Sequence, residues 1–508
     1  MPRFAYRIEQ FGGILAEGEP SMWPCCASCL PYPPYTETFI LLIDLPCMHV
    51  LFQDVRPTVK LAAPVVAAQL AQASLGFVDT VMVGRLGAEA LAAVALGNSV
   101  FFFLFIVGAG VIQAVNPMVA QAFGADTREP IARSVRQALW MGTLLGISAM
   151  ALLWFIEPIL LAVGQEPHTV SDAQAYLRAM LWGLIPAYWF MGMRGFVEAI
   201  GRPLPVTIIA VGGVGINILA NGLLMYGWGP VPAMGIVGTG WASVIVFWSI
   251  FGALAVFVYR VPPFADYRVF DSLRRPDPSY FKELTRIGAP IGVARGVEAG
   301  LFMMTALMAG VLGADVLAAH QVALQCASLA FMVPLGIGIA GSVRVGQAAG
   351  REDPAGARRA GFTAMGCATV VMTASGLVFW LIPETIVSGF LDPTDPENQS
   401  VVSLAASLLL LAALFQVVDG IQIAASSALH GLKDTRIPMV IAFLTYWGVG
   451  LTTGYLFGIQ GDAGAHGLWW GLVVGLTAAA IWLTWRFHRT VERAVRNRDI
   501  RASSSSSR

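Results

Sequence analysis

Three carboxylates stand in long apolar stretches of the chain: Asp79, Glu298 and Asp419. An ionisable side chain at membrane depth costs about 3 kcal/mol on insertion scales, so it normally faces a cavity or a partner. A carboxylate kept from bulk water can trade a proton, a Na⁺ ion or a cationic organic molecule, which is the chemistry of an antiporter. The competing use is a carboxylate locked into a structural hydrogen-bond network. Asn217 and Asn221 are four residues apart and share one helix face. Amide oxygens are hard ligands for Na⁺, so two beside a carboxylate would make a cation site; hydrogen bonding between helices is the other common use of Asn in a membrane. Arg194 and Glu198 are also four apart and read as a structural ion pair. Arg295 precedes Glu298 by about one turn and is placed to neutralise it, which would leave Glu298 less available to a substrate. His320 opens an apolar segment; an unperturbed imidazole titrates near neutrality, but capping or packing is its commoner role.

Other patterns carry less. Gly336-x-Gly338-x-x-Gly341 spells a dinucleotide fingerprint, yet it follows Pro334 inside an apolar helix rather than a strand, where small residues serve close packing. No P-loop, HExxH or GxSxG is present, so neither ATP hydrolysis nor familiar hydrolytic chemistry is expected. Cys25-Cys26-x-x-Cys29 lacks a second ligand pair at a zinc spacing, and Cys326 and Cys367 read as packing residues. The Met-rich face of Phe302, Met303, Met304 and Met308 is expected to face lipid or core before it lines an adaptable pocket.

The elements that must hold these residues are membrane helices. Hydrophobic residues make up 56% of the 508 and charged ones 12%, about half the share of a soluble protein, with mean hydropathy +0.69. The stretch after Pro64 repeats after Pro290 without a gap for about seventy residues. Gly84, Leu86, Gly87 and Ala88 fall on Gly310, Leu312, Gly313 and Ala314, and Gln121, Ala122 and Gly124 on Gln347, Ala348 and Gly350. Such a repeat is a whole bundle, and two bundles with a binding site between them are the usual body of a secondary transporter. Twelve apolar segments are long enough to span: about 58–83, 92–124, 135–157, 175–200, 206–226, 236–259, 284–309, 318–349, 360–382, 402–430, 436–458 and 466–487. The fold class expected is an all-α membrane protein of two parallel six-helix repeats around a central cavity.

Basic residues set the orientation. Arg56, Lys60, Arg128, Arg133, Arg136, the run from Arg260 to Arg286, Arg351, Arg358, Arg359, Lys433, Arg436 and the tail from Arg486 lie on one side; Arg85 and Arg178 are the exceptions opposite. The positive-inside rule makes both termini and the central loop cytoplasmic. The expected domains are an N-terminal extension 1–57, disordered or translated from too early a start with Met48 as the alternative; an N-lobe 58–259; a linker 260–283; a C-lobe 284–487; and a basic, Ser-rich tail 488–508.

Several separated motifs resemble the NorM branch of the multidrug and toxic compound extrusion (MATE) family. They are Gly76-Phe77-Val78-Asp79-Thr80-Val81-Met82-Val83-Gly84, Ala318-Ala319-His320-Gln321-Val322-Ala323-Leu324, Arg344-Val345-Gly346, Asp419-Gly420-Ile421-Gln422 and Gly431-Leu432-Lys433-Asp434. The resemblance runs from about residue 58 to 487. It implies a V-shaped pair of lobes exporting drugs and organic cations against Na⁺ or H⁺. It puts Asp79 at the N-lobe acid, with Asn217, Asn221 and Ser243 where the family places an Asn and an acid on helix 5 and a hydroxyl on helix 6. The second acid is here an amide, which lowers the charge of the site. Glu298 and Asp419 match acids of the C-lobe, while Arg295 lies outside the pattern.

The expected protein is thus a cation-coupled multidrug efflux antiporter working by alternating access, with the cation and substrate held by Asp79, Asn217, Asn221, Ser243, Glu298 and Asp419. A flippase for lipids or lipid-linked oligosaccharides is the alternative. An enzyme lacks a catalytic constellation, and a channel lacks rings of acids. No cofactor is expected beyond the coupling Na⁺ or H⁺. Nucleic acid is not an expected partner, and one chain is expected to be a complete transport unit.

Overall fold

A computed structural model describes the backbone of residues 45–506, apart from residues 229, 272, 275 and 394, and the side chains of 54–498 with the same exceptions. The expectations for residues 1–44, including Cys25-Cys26-x-x-Cys29, lie outside the described residues. The chain divides into Met1–Cys47 and Met48–Arg508, and the second unit carries everything considered below.

Twelve helices cross this unit: α1 (Leu45–Gly84), α2 (Ala88–Gly124), α3 (Arg128–Trp154), α4 (Pro167–Met180 continued by Leu184–Ala199), α5 (Leu204–Met225), α6 (Gly235–Arg260), α7 (Pro278–Leu312), α8 (Ala314–Gly350), α9 (Pro354–Leu381), α10 (Gln399–Gly431), α11 (Arg436–Gln460) and α12 (Gly464–Ser506). Eleven are long and apolar enough to span as they stand; α4 is the twelfth, interrupted by a 3₁₀ turn at Leu181–Gly183. Pro186 accounts for the interruption, since it has no N–H to give the carbonyl of Trp182. Pro117 does the same to the carbonyl of Gln113, and α2 breaks between Ile112 and Val115. Helical structure extends past two sequence boundaries, with α1 beginning at Leu45 and α12 running on to Ser506.

α11 departs from α-helical geometry over Leu444–Leu451 and Leu456–Gln460, where it winds as a wider π-helix. It lies against α12 along six glycines. A Cβ on Gly467 would stand 2.5 Å from the nitrogen of Gly458, and one on Gly475 2.7 Å from the Cα of Gly450; Gly471 meets Gly454 between them. Spaced by four on both helices, these glycines bring main chain against main chain, as small residues do between membrane helices.

Each half has its own apolar core, one from Ala68 to Ile291 and one from Leu61 to Val491. The exchange at their edges is reciprocal. On α1, Leu61 and Ala62 pack into the C-terminal core, and on α7, Leu284, Ile287 and Ile291 pack into the N-terminal one. The seam obeys the 226-residue repeat. Gly110 of α2 meets Gly292 of α7, where a Cβ would be 2.7 Å from Cα, and their counterparts Gly336 and Val66 meet between α8 and α1. Gly124 faces the carbonyl of Gln347, and its counterpart Gly350 faces the carbonyl of Gln121. The two glutamine amides finish the pattern: Gln121 Nε2 donates to the carbonyl of Gly431 at 2.9 Å, and Gln347 Nε2 to that of Ala199 at 2.8 Å. Beside them Arg344 of α8 binds the carboxylate of Asp54 at 2.7 Å and the carbonyl of the same residue at 2.8 Å. All these contacts lie toward the end of the bundle that carries the arginine-rich loops, called the basic end below.

The three glycines of the false dinucleotide fingerprint are packing residues facing three helices: Gly336 toward α1, Gly338 toward Ser427 of α10, and Gly341 toward Ala364 of α9. Gly124→Val would push a side chain into the main chain of α8, and overpacking of this kind costs about 1–3 kcal/mol. Its melting temperature in detergent should fall by several degrees, whereas Gly366→Val on open α9 surface should leave it within a degree. A scanning fluorimetry trace of the purified variants decides this, and equal melting would remove the seam from its place in the assembly.

Candidate functional site

The N-terminal half brings together the four residues singled out in the sequence. Asp79 sits near the far end of α1, one turn past Leu75 and half-buried. Its Oδ1 accepts hydrogen bonds from Asn217 Nδ2 at 2.9 Å and Asn221 Nδ2 at 2.6 Å, both on one face of α5. Its Oδ2 accepts from Ser243 Oγ of α6 at 3.4 Å. The reason they converge is that α5 runs parallel to α1 and is tied to it on either side of the site. Thr207 Oγ1 donates to the carbonyl of Pro64 at 2.6 Å, and the Tyr226 hydroxyl to that of Met82 at 2.7 Å.

The arrangement is a carboxylate held by three neutral donors. Both amide oxygens, Asn217 Oδ1 and Asn221 Oδ1, are buried with no partner. Turning either amide about its last bond exchanges N–H for oxygen. The same side chains then offer a hard, all-oxygen ligand set to a small cation, the donor type that suits Na⁺. Thr239, one turn from Ser243 on the same face of α6, is fully buried with its hydroxyl unpartnered, and it was missed in the sequence. Its spacing of four from Ser243 was the available signal. The C-terminal repeat has no copy of this acid: the position 226 residues after Asp79 is Thr305, whose hydroxyl bonds back to the carbonyl of Leu301 at 2.9 Å.

The C-terminal half holds a different constellation. Arg295 Nη1 and Glu298 Oε2 of α7 pair at 3.0 Å, with side chains 13% and 15% exposed. The pairing expected from their spacing therefore forms. Asp419 of α10 is 4% exposed and has no ion-pair partner among the described residues, and Glu298 and Arg295 are the charges that act on it. A small cavity beside them is lined by Arg295, Glu298, Gln422, Ser426, His430 and Tyr446. Tyr446 comes from the π-helical stretch of α11, and the next residue, Trp447, donates its indole N–H to the carbonyl of Val297 at 3.1 Å. Asp79 has no hydrogen bond or ion pair to this group, so the six candidate residues form two sites rather than one.

The remaining candidates are structural. Arg194 and Glu198 are a buried pair at 2.7 Å, each side chain 4% exposed, and Arg194 Nη1 also donates to Gln72 Oε1 at 2.5 Å. His320 is buried against Trp469, ring to ring at 5.9 Å, with neither nitrogen hydrogen-bonded. Met303 and Met304 lie on open surface.

Two like halves of membrane helices, each with an acidic site inside it, define a membrane transporter of the two-lobe type. The MatE family model matches residues 64–223 and again 290–456, once in each half. "Multidrug resistance protein NorM" of Burkholderia vietnamiensis is 42% identical over 432 residues, covering 85% of this chain and 93% of its own. "Probable multidrug resistance protein NorM" of a Synechocystis strain is 38% identical over 441 residues, covering 87% and 95%. A crystal structure of a eukaryotic MATE transporter superposes with TM-score 0.77 at 22% identity, over 87% of this chain and 99% of that one. An outward-facing MATE family transporter of the MOP superfamily gives 0.78 at 21%, over 87% and 96%. The chain belongs to the MatE family.

Removing one member of a largely buried ion pair strands the other, which costs about 3–5 kcal/mol, while replacing both by apolar residues is often near neutral. Glu298→Gln should therefore destabilise the protein more than Arg295→Met combined with Glu298→Met. Unfolding midpoints of the two variants in the same detergent test this; the reverse order would mean the pair is not what holds Arg295.

Proposed function

We propose that this protein is a multidrug efflux antiporter that exports organic cations in exchange for Na⁺ or H⁺. The observation that carries the reading is Asp79 at membrane depth, bound by Asn217, Asn221 and Ser243 from two further helices. A proton or Na⁺ on this carboxylate removes the charge that its three donors hold. A proton weakens the three hydrogen bonds and loosens α1 from α5 and α6, whereas Na⁺ would bridge the three helices through their oxygens, so occupancy of the site is coupled to helix position. In the C-terminal half the Arg295–Glu298 pair leaves Asp419 as the acid available to a cation. Each half then presents one net negative charge, which favours monovalent cations as coupling ion and cargo. The names of the NorM relatives support drugs as the cargo.

Alternating access follows from the seam. The named contacts between the halves lie toward the basic end, which the positive-inside rule puts in the cytoplasm with both termini. These contacts support a state closed to the cytoplasm. Opening toward it requires the two glutamine hydrogen bonds and the glycine contacts to part, and a ligand drives the exchange only by binding one state better than the other. The membrane is the inner membrane of a bacterium, as the relatives' sources suggest. A flippase for anionic lipid-linked cargo would need unpaired cations in the interior, and Arg194 and Arg295 are both engaged with acids.

Ethidium efflux from everted vesicles, with a Na⁺ gradient and a pH gradient imposed separately, tests the reading. Wild type should respond to one of the two gradients. Asp79→Asn should lose at least about nine-tenths of that efflux, and of drug resistance in cells, at unchanged protein level. Undiminished efflux in the variant would remove Asp79 from coupling; no efflux in wild type under either gradient would favour the flippase.

A further inference from the structure

The basic end of the C-terminal half contains a cavity of about 640 Å³ whose lining includes none of the six candidate cation-site residues. It opens between the first turns of α7 and the α10–α11 turn, and its charged lining is Lys282, Glu283, Arg286, Lys433, Asp434 and Arg436. Lys282 and Arg286 are four apart on α7 and so share a face. Lys433 reaches in from a left-handed turn, φ 59°, just past α10. Both acids are already taken: Glu283 by Lys433 at 2.8 Å and Asp434 by Arg486 of α12 at 2.9 Å. Lys282, Arg286 and Arg436 are exposed and have no counter-charge among the described residues. The hydroxyls of Ser279 and Thr435 and the uncapped N-terminus of α11 line the same space, and both suit an anion.

We propose that this cavity binds the phosphate-bearing headgroup of an anionic phospholipid from the adjoining leaflet. Three unopposed cations select a polyvalent oxyanion and repel the organic cations expected at the carboxylate sites. The lipid, rather than free phosphate, is favoured by what lies directly below. Ile437, Val440 and Leu444 of α11 are 43%, 46% and 48% exposed and form one stripe leading away from the cavity. Acyl chains laid on that stripe put the headgroup among the cations, the arrangement by which basic pockets between membrane helices take anionic lipids. A bound headgroup bridges α7, which carries Arg295 and Glu298 farther along, to α11, which carries Tyr446. It thus braces the two walls of the C-terminal site from outside it.

The test uses the full chain purified in detergent, with melting temperature and native mass spectrometry as readouts. Phosphatidylglycerol should raise the melting temperature by several degrees and appear as retained one-to-one adducts, while phosphatidylcholine should do neither. Each cation removed should weaken phosphatidylglycerol binding about five-fold. Arg286→Gln with Arg436→Gln should therefore lose most adducts, and Arg358→Gln, an exposed arginine of α9 outside the cavity, should lose none. If the double variant does not fold, each single variant and a titration of salt against the wild-type adduct give the same decision. Equal adducts with phosphatidylcholine, or undiminished adducts in the cavity variants, overturn the proposal. Stabilisation by inorganic phosphate alone, equal to that by the lipid, overturns the lipid source and leaves a free-anion site.

Discussion

The architecture depends on how closely the two halves approach at one end. Gly124 stands against the carbonyl of Gln347, and Gly350 against the carbonyl of Gln121, so main chain meets main chain twice about a pseudo-two-fold axis. Only a residue without a side chain allows this, because a Cβ at either glycine would overlap a carbonyl group. The approach lets each glutamine reach a helix end in the opposite half, where Gly431 and Ala199 offer carbonyls. It also lets α1 and α7 cross over, each contributing one stretch to the other half's core. Carbonyls satisfied in this way have no need of water, so the seam combines apolar packing and close main-chain contact with a few hydrogen bonds of modest strength.

Duplication has preserved the seam and not the chemistry. Gln121 and Gly124 at the crossing correspond to Gln347 and Gly350 at the 226-residue offset, while Asp79 corresponds to Thr305, a hydroxyl spent on its own helix. The C-terminal half carries its acids elsewhere and sets an arginine beside one of them. A carboxylate held by neutral amides and a carboxylate next to an internal ion pair differ in what must move when a cation arrives. At Asp79 the donors can rotate in place. At Asp419 the neighbouring guanidinium is fixed by Glu298, so the charge around the acid is set before any ligand enters.

Much of this was legible in the sequence because membranes make the code simple. A helix must satisfy its own main chain in lipid, so apolar length alone gave twelve spans, and an acid in such a span stood out as a candidate. Spacing of four put Asn217 and Asn221 on one face, and spacing of three put Arg295 near enough to Glu298 to pair. What spacing could not give was which helix lies beside which. Nothing local to Asp79 names α5 as its neighbour; that came from family resemblance, and the structure supplies the hydrogen bonds that fix it. The 3₁₀ turn in α4 was foreshadowed only by Pro186. The π-helical turns of α11 contain no proline and left no mark, since an extra residue per turn is tolerated where glycines remove the packing penalty. Thr239 was overlooked because a threonine in an apolar helix usually bonds back to its own main chain, as Thr305 does and Thr239 does not.

The glycine contact between α11 and α12 has a consequence for how the two helices pair. They are consecutive, joined by a turn of three residues, and the span of α11 has a mean hydropathy of only 1.4. Six glycines of their mutual surface lie main chain to main chain, with the Leu468 side chain packed beside Gly458. The fit along the glycines is therefore a contact that the two helices make with each other, as small residues do between membrane helices. The C-terminal half thus holds a two-helix hairpin whose closest approach is built from glycines of the hairpin itself.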